Sequence, residues 1–267
     1  MNGEYAGLPG VPYRAPVMLP LARPRVVYVL LGLIGLFFVA ETVLGGSTRT
    51  SVLIALGAQV NLLVWQGEAW RLLTAMFLHI GLMHLLFNSW ALYSLGSEVE
   101  MFFGSFRFTV IYFYAGLFGG LAYYLLGPVH TATTVSAGAS GAVFGIIGAE
   151  LAFWLRNRNV FGVFGRQRLL NLGTLVAINL FLGFTVPGIN NLAHLGGLFS
   201  GFMLALALAP HYRVLWRWEG LASRPELVDR SSVLVRLAAI SVALLVLSAG
   251  LALGDQRWSA LALMFRL

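Results

Sequence analysis

Four stretches of this chain carry side chains that could do chemistry, and all four lie in or beside apolar runs. Gly138-Ala139-Ser140-Gly141 opens a run that reaches Arg156 with Glu150 as the one ionisable residue between Gly141 and Leu155. Upstream, His79, His84 and Asn88 fall within H-I-G-L-M-H-L-L-F-N, preceded by Glu68-Ala69-Trp70-Arg71. Downstream stands Ala193-His194-Leu195-Gly196-Gly197. Polar and ionisable groups are costly inside a membrane, so each is a functional candidate. A serine hydroxyl is a weak nucleophile at its own pKa and needs a base; His194 could supply it. The chemistry suggested is that of a serine hydrolase working inside a membrane.

Each residue also has a plainer reading. Ser140 could cap or pack a helix, and His194 could be a structural hydrogen-bonder. Favouring chemistry, both are followed by G-x-x-x-G pairs, Gly141/Gly145 and Gly197/Gly201, which let two spans approach closely. No acid is placed to complete a triad, so a Ser140–His194 dyad is expected. Phe144, one turn past Ser140, could stack on the imidazole or simply pack the core. His84 and Asn88 are i and i+4, hence on one helix face. Two donors aimed at one place, with a backbone N–H such as that of Ser140, are what an oxyanion hole requires. His79, His84 and His194 could instead be imagined as zinc ligands. His79 and His84 are five apart, poorly placed for one face, and the chain has no H-E-x-x-H and no cysteine. No metal and no cofactor are expected, and His79 is read as ordering the loop into its span. Trp70 reads as an interface anchor and Arg71 as a snorkelling cation, or both as part of a rigid structure in the outer leaflet.

The elements that must position these groups follow from composition. With 59% hydrophobic and 10% charged residues over 267 positions, the chain is far below the charge content of soluble domains, about 25%. It reads as all-α: a polytopic membrane helical bundle. The absence of cysteine excludes disulfides and thiolate metal sites. The net charge of +7 comes from arginines between apolar runs, which marks topology and lipid contacts rather than nucleic acid.

Seven spans are expected, near Val26–Leu44, Leu72–Leu95, Phe108–Leu126, Gly138–Arg156, Leu169–Val186, Leu192–Ala209 and Ser232–Leu253. The domains are then a cytoplasmic tail (1–25), a six-span catalytic core (26–210), a cytoplasmic linker (211–231) and a seventh span with a short extracytoplasmic tail (232–267). Twelve arginines collect on one side of these spans and four on the other. The positive-inside rule then puts the N-terminus in the cytoplasm and the C-terminus outside. Counting about 1.5 Å per residue from the arginine-rich ends, Ser140 and His194 both lie roughly 24–25 Å up their helices. His84 lies about 21 Å up by the same count. Residues 129–137 are read as a loop dipping into the protein to deliver Ser140 to a recessed helix N-terminus.

The set E-x-W-R, then H-x-x-x-x-H-x-x-x-N, then G-A-S-G, then A-H-L-G-G-x-x-x-G, in order and each in the expected span, resembles the rhomboid family of intramembrane serine proteases. The resemblance covers about residues 26 to 210, and the added span is similar to the "6+1" arrangement. It implies Ser140 as nucleophile and His194 as base, with His84, Asn88 and the Ser140 N–H stabilising the oxyanion and Gly138 in the adjoining backbone. It places Trp70 and Arg71 in a first-loop structure. Phe144 departs from the tyrosine common in the family, so stacking can persist without the hydroxyl. The implied partners are single-span transmembrane substrates and membrane lipids, in an expected bacterial plasma membrane. The alternative of another class is a non-catalytic module that binds or escorts transmembrane helices.

Overall fold

A computed structural model describes residues 21–219 and 222–265; of the expected tail, only 21–25 fall among them. In chain order the helices are α1 (Val26–Val43), α2 (Thr50–Ala55), α3 (Asn61–Trp65), α4 (Arg71–Thr74), α5 (Leu82–Ala91), α6 (Ser97–Phe103), α7 (Ser105–Leu126), α8 (Ser140–Arg156), α9 (Arg158–Thr185), α10 (Asn191–Leu208) and α11 (Val233–Phe265). A two-stranded hairpin, β1 (Tyr212–Glu219) and β2 (Ala222–Asp229), precedes α11. Five helices, α1, α7, α9, α10 and α11, are long and apolar enough to cross a membrane, and α4 with α5–α6 makes a sixth as a pair bent by 92°. At seventeen residues, α8 is about 25 Å long.

The bend falls inside the span expected over 72–95, at the loop that His79 is read as ordering. Leu78 is extended and Gly81 takes φ +82°, a conformation that favours glycine, so the chain leaves one helix and enters another. From Leu82 the helix runs on through a π-helical turn at Leu92–Gly96 and stops at Gly104, φ +78°. Near that end Glu100 is fully buried and accepts the N–H groups of Arg25, Val26 and Val27, each at 2.9 Å. A carboxylate at a helix start satisfies orphan donors and complements the dipole, so Glu100 fastens α1 to α6.

At the centre stands α8, thirteen of whose seventeen residues are buried. It packs against α10 along a glycine seam. A methyl on Gly197 would collide with the backbone of Gly141, and one on Gly201 with that of Gly145. The seam joins the two G-x-x-x-G pairs, and on the α7 side Gly119 lies against Ala193 and Gly141. Close backbone approach replaces the hydrophobic driving force that lipid cannot supply.

The outermost helix is α9, with only Gly165 and Leu172 buried among its described residues and a kink at Gly162. Near its start Arg168 pairs with Glu150 of α8 and with Glu98, and the Trp154 indole donates to Glu150 at 3.2 Å. Glu150 is thus tied up far from Ser140. The region expected to be a plain linker instead forms the antiparallel hairpin, Tyr212 opposite Asp229 through Glu219 opposite Ala222. Asp229 holds it down by accepting from Arg107 at 2.8 Å, His211 N–H at 3.0 Å and Ser231 N–H at 2.9 Å.

The last helix runs well past the expected end at Leu253. Its extension carries a polar clasp on the C-terminal end of α7. Arg257 donates to the carbonyls of Tyr124 and Gly127, the Trp258 indole donates to Tyr124 O, and Tyr124 Oη donates to Asp255 at 2.6 Å.

Candidate active site

Ser140 is the first residue of α8, behind Gly138 at φ +132° and Ala139 near the bridge region. The first four N–H groups of a helix lack intrahelical partners, so Ser140 stands where donors and the positive dipole end converge. The approach is pinned: Gly138 N–H donates to Ala75 O at 2.9 Å, and Ser136 and Gln59 exchange backbone hydrogen bonds of 2.9 and 3.0 Å. The loop over 129–137 is held on the segment between α2 and α3.

His194 lies in the first turn of α10, almost wholly buried. Its Nε2 is 2.8 Å from Ser140 Oγ. The Phe144 ring stacks on the imidazole with centroids 4.2 Å apart and planes within 10°. His194 Nδ1 has no hydrogen-bond partner among the described residues, so no carboxylate backs the imidazole. A neutral imidazole whose Nε2 accepts from the serine carries its hydrogen on Nδ1, the state a general base requires before attack.

His84 comes to the same place from α5. Its ring covers Gly138 so closely that a Cβ there would fall 2.6 Å from Cε1 and 2.8 Å from Nε2. Only glycine lets the chain pass beneath it. The Ile80 N–H points to His84 Nδ1 at 3.3 Å. With Nδ1 accepting, the neutral ring carries its hydrogen on Nε2, the atom beside the Gly138 backbone. Asn88, one turn further, is buried and donates one N–H to His84 O at 3.0 Å; its amide keeps a second.

The supporting residues divide. His79 sits in the break before α5, its N–H on the buried carboxylate of Glu41 at 2.9 Å and its ring 5.2 Å from that of His84. Trp70 and Arg71 are not brought to Ser140. Rather than snorkelling, Arg71 is buried, bonded to Glu68 at 2.6 Å and to the carbonyls of Ile54 and Ala58 at 2.7 and 3.1 Å. It stacks over Trp70 at 4.7 Å. The pair braces the α2–α4 region. Among the described residues, no group of three His, Cys, Asp or Glu could hold a metal ion.

A model of the Rhomboid domain matches residues 66–211, a span that contains Ser140, His194, His84 and Asn88. The chain belongs to the rhomboid family. Rhomboid protease GluP of Bacillus subtilis (strain 168) is 45% identical over 186 residues, covering 70% of this chain and 35% of GluP. RHOMBOID-like protein 7 of Arabidopsis thaliana is 35% identical over 189 residues, 70% of this chain and 58% of that protein. RHOMBOID-like protein 4 of the same plant is 36% identical over 174 residues, 63% of this chain and 42% of that protein. The chain therefore matches between about a third and three fifths of the length of these relatives. A rhomboid with five apolar helices of spanning length and a sixth bent pair is a multi-pass integral membrane protein. Its site includes residues that reading along the chain passes over, Gln59, Ser136 and Asn190. For Asn190 a signal is present: an Asn ahead of a long apolar run marks a helix start.

Proposed function

We propose that this rhomboid is an intramembrane serine endopeptidase that cuts transmembrane segments with a Ser140–His194 dyad. The observation that carries the proposal is the 2.8 Å contact between Ser140 Oγ and His194 Nε2, with the imidazole held flat against Phe144. His194 takes the hydroxyl proton as Ser140 Oγ attacks the scissile carbonyl. The developing oxyanion is received by the Nε2–H of His84, an amide N–H of Asn88 and the Ser140 N–H, donors set before charge appears. The glycine at 138 leaves room for His84 to stand over the site. His194 then returns its proton to the leaving amine, the new chain end departs, and water activated by His194 releases the acyl group from Ser140.

Topology belongs to the same proposal. The arginine distribution puts the N-terminus in the cytoplasm, the six-span core over residues 26–210 and the seventh span after the 211–231 hairpin, with the C-terminus outside a bacterial plasma membrane. The site then lies toward the outer face. Substrates are single-span segments whose helix is loosened near that face, because an intact helix keeps the scissile carbonyl hydrogen-bonded.

The test uses purified protein in lipid and a fluorophosphonate probe, followed by cleavage of two model spans. One carries a Gly-Gly pair in its outer third, the other in its inner third. Labelling at Ser140, its loss in Ser140→Ala and His194→Ala, and cutting of the span with the outer pair are expected. Folded wild-type protein that is neither labelled nor able to cut would leave a non-catalytic helix-binding module. Cutting only of the span with the inner pair would overturn the topology.

A further inference from the structure

Ser140 and His194 stand in the first turns of two different helices, each entered from a loop. Helix starts and loops are where local opening is easiest, yet the proposed chemistry needs the two side chains kept at 2.8 Å. The glycine seam sets how near α8 and α10 approach. It does not stop α10 sliding along its axis, because a run of glycines offers no side chain to interlock.

A second cross-link lies one turn before the dyad. Asn190 is the N-cap of α10: its Oδ1 accepts the Ala193 N–H at 3.1 Å, and its backbone carbonyl accepts the His194 N–H at 3.1 Å. Its amide also donates from Nδ2 to Ser136 Oγ at 3.1 Å. Ser136 precedes Ser140 by four residues, as Asn190 precedes His194. The two contacts, 136 with 190 and 140 with 194, therefore run side by side across the same pair of elements. Among the described residues, they are the hydrogen bonds that join 129–140 to 186–194.

Ser136 is itself anchored. Its backbone pairs in both directions with Gln59. The buried Gln59 side chain donates to Gly120 O and Asn61 Oδ1, each at 2.9 Å. The rim that receives Asn190 is thus tied to α7, on which α8 and α10 also pack.

We propose that Asn190 is a positioning residue: by capping α10 and bridging to Ser136, it fixes the height and rotation of His194 against Ser140. The inference rests on the dyad reading, and its test separates the two. Asn190→Ser keeps a capping oxygen but is too short to reach Ser136. Ser136→Ala removes the bridge and leaves the cap. Asn190→Asp keeps the cap and can accept a hydrogen bond from the Ser136 hydroxyl, restoring the bridge with the donor reversed.

Fluorophosphonate labelling at Ser140 and turnover of a cleavable span would be measured per folded protein, counted by thermal unfolding. A shift of about 1 Å can cost about 100-fold in rate, so a partial loosening is expected to slow Asn190→Ser and Ser136→Ala by about tenfold in labelling and kcat, with KM unchanged. The double variant should be no slower than either single, and Asn190→Asp should stay within about twofold of wild type by the same scale. Wild-type rates in Asn190→Ser and Ser136→Ala, with wild type labelled at Ser140, would overturn the inference and leave the dyad standing. So would Asn190→Asp as slow as Asn190→Ser. A wild-type protein unlabelled at Ser140 would sink the dyad reading instead. If Asn190→Ser does not fold, Ser136→Ala, which leaves the helix cap in place, decides.

Discussion

Replacing Gly197 by alanine tests whether the glycine seam delivers the dyad. The new methyl carbon would lie 2.8 Å from the Gly141 carbonyl carbon and 3.2 Å from its Cα. Carbon pairs settle at about 3.5–4.0 Å, and the Gly141 carbonyl oxygen stands nearer still, so α8 and α10 must part by at least ~0.7 Å. Gly141 adjoins Ser140, and Gly197 lies three residues past His194; the displacement falls on the reacting pair with little lever arm to absorb it. The 2.8 Å contact between Ser140 Oγ and His194 Nε2 would open beyond the ~3.2 Å reach of direct proton transfer. A misplacement of this size costs up to about 100-fold, which is about 2.7 kcal/mol at about 1.36 kcal/mol per tenfold. Overpacking would also take about 1–3 kcal/mol from stability. The assay is the rate of fluorophosphonate labelling at Ser140 in lipid, alongside thermal unfolding to count folded protein. Gly32→Ala is the control, since a Cβ there meets nothing within 4 Å. Folded Gly197→Ala protein labelled within twofold of wild type would refute the reasoning, because the seam would then not be setting the dyad.

On the proposed mechanism Asn88→Ala removes one oxyanion donor and should lower kcat by on the order of 10²–10³ with KM little changed; a KM effect with kcat intact would make Asn88 a packing residue. Arg257→Met withdraws a charged donor from the Tyr124 and Gly127 carbonyls, so unfolding should ease by about 1.5–3 kcal/mol, read as faster hydrogen exchange at the end of α7. Unchanged exchange there would mean the clasp is decorative. The hairpin should loosen only in acid. Burial pushes the Asp229 carboxyl up, but hydrogen bonds from Arg107, Ser231 and His211 outweigh that and hold it below the ordinary 3.8. A lowered carboxylate stabilises fully above the ordinary value and loses that contribution as pH falls through its own. His211 beside it, held below its ordinary 6.5 by burial and by Arg156 and Arg213, adds an earlier step, so protection of the Tyr212–Asp229 amides, taken relative to intrinsic exchange at each pH, should begin to fall below about pH 6.5 and fall further below the carboxylate range; protection that stays constant to about pH 3 would contradict it.

Much of this is legible because depth in a membrane can be counted. Apolar run length places a residue along its helix, and arginines mark one end. Ser140, His194, His84 and Asn88 are thus expected in one layer, and the glycines after Ser140 and His194 tell which helices touch. What cannot be read is backbone that leaves the helix. At Leu78–Gly81 the loop is signalled by His79, but its place within the expected span is not, since a single glycine in a mostly apolar run is usually tolerated. The hairpin escapes notice because Tyr212–Glu219 alternates only weakly between polar and apolar and lies between two spans, where a linker is the default. Of the two readings open for Arg71, a snorkelling cation or part of a rigid first-loop structure, the second is the one found. An arginine beside a span ordinarily snorkels, and only the fold brings two loop carbonyls to its guanidinium.

The unreadable residues share a physical origin. Away from water every irregular carbonyl and N–H needs a partner, and the segments around Ser140, 56–60, 78–81 and 127–139, leave the α-helix. The carbonyls of Gly120, Tyr123 and Tyr124 in the last turns of α7, and of Gly127 just past it, accept from side chains. Gln59, Asn61, Arg257 and Trp258 take them. The loop before Ser140 is met by Gln59, Ala75 and Asn190. These partners come from the first loop, the break before α5, the entry to α10 and the final helix, separated in sequence by as many as 134 residues. Spacing along the chain carries no trace of such pairs. On the proposed reading, a nucleophile at the start of α8 requires an opened backbone, and an opened backbone away from water requires this collar of side chains. The same collar that solves the solvation problem is therefore what holds the Ser140 and His194 loops in register, which is why its members should tune the reaction rate without touching the reacting atoms.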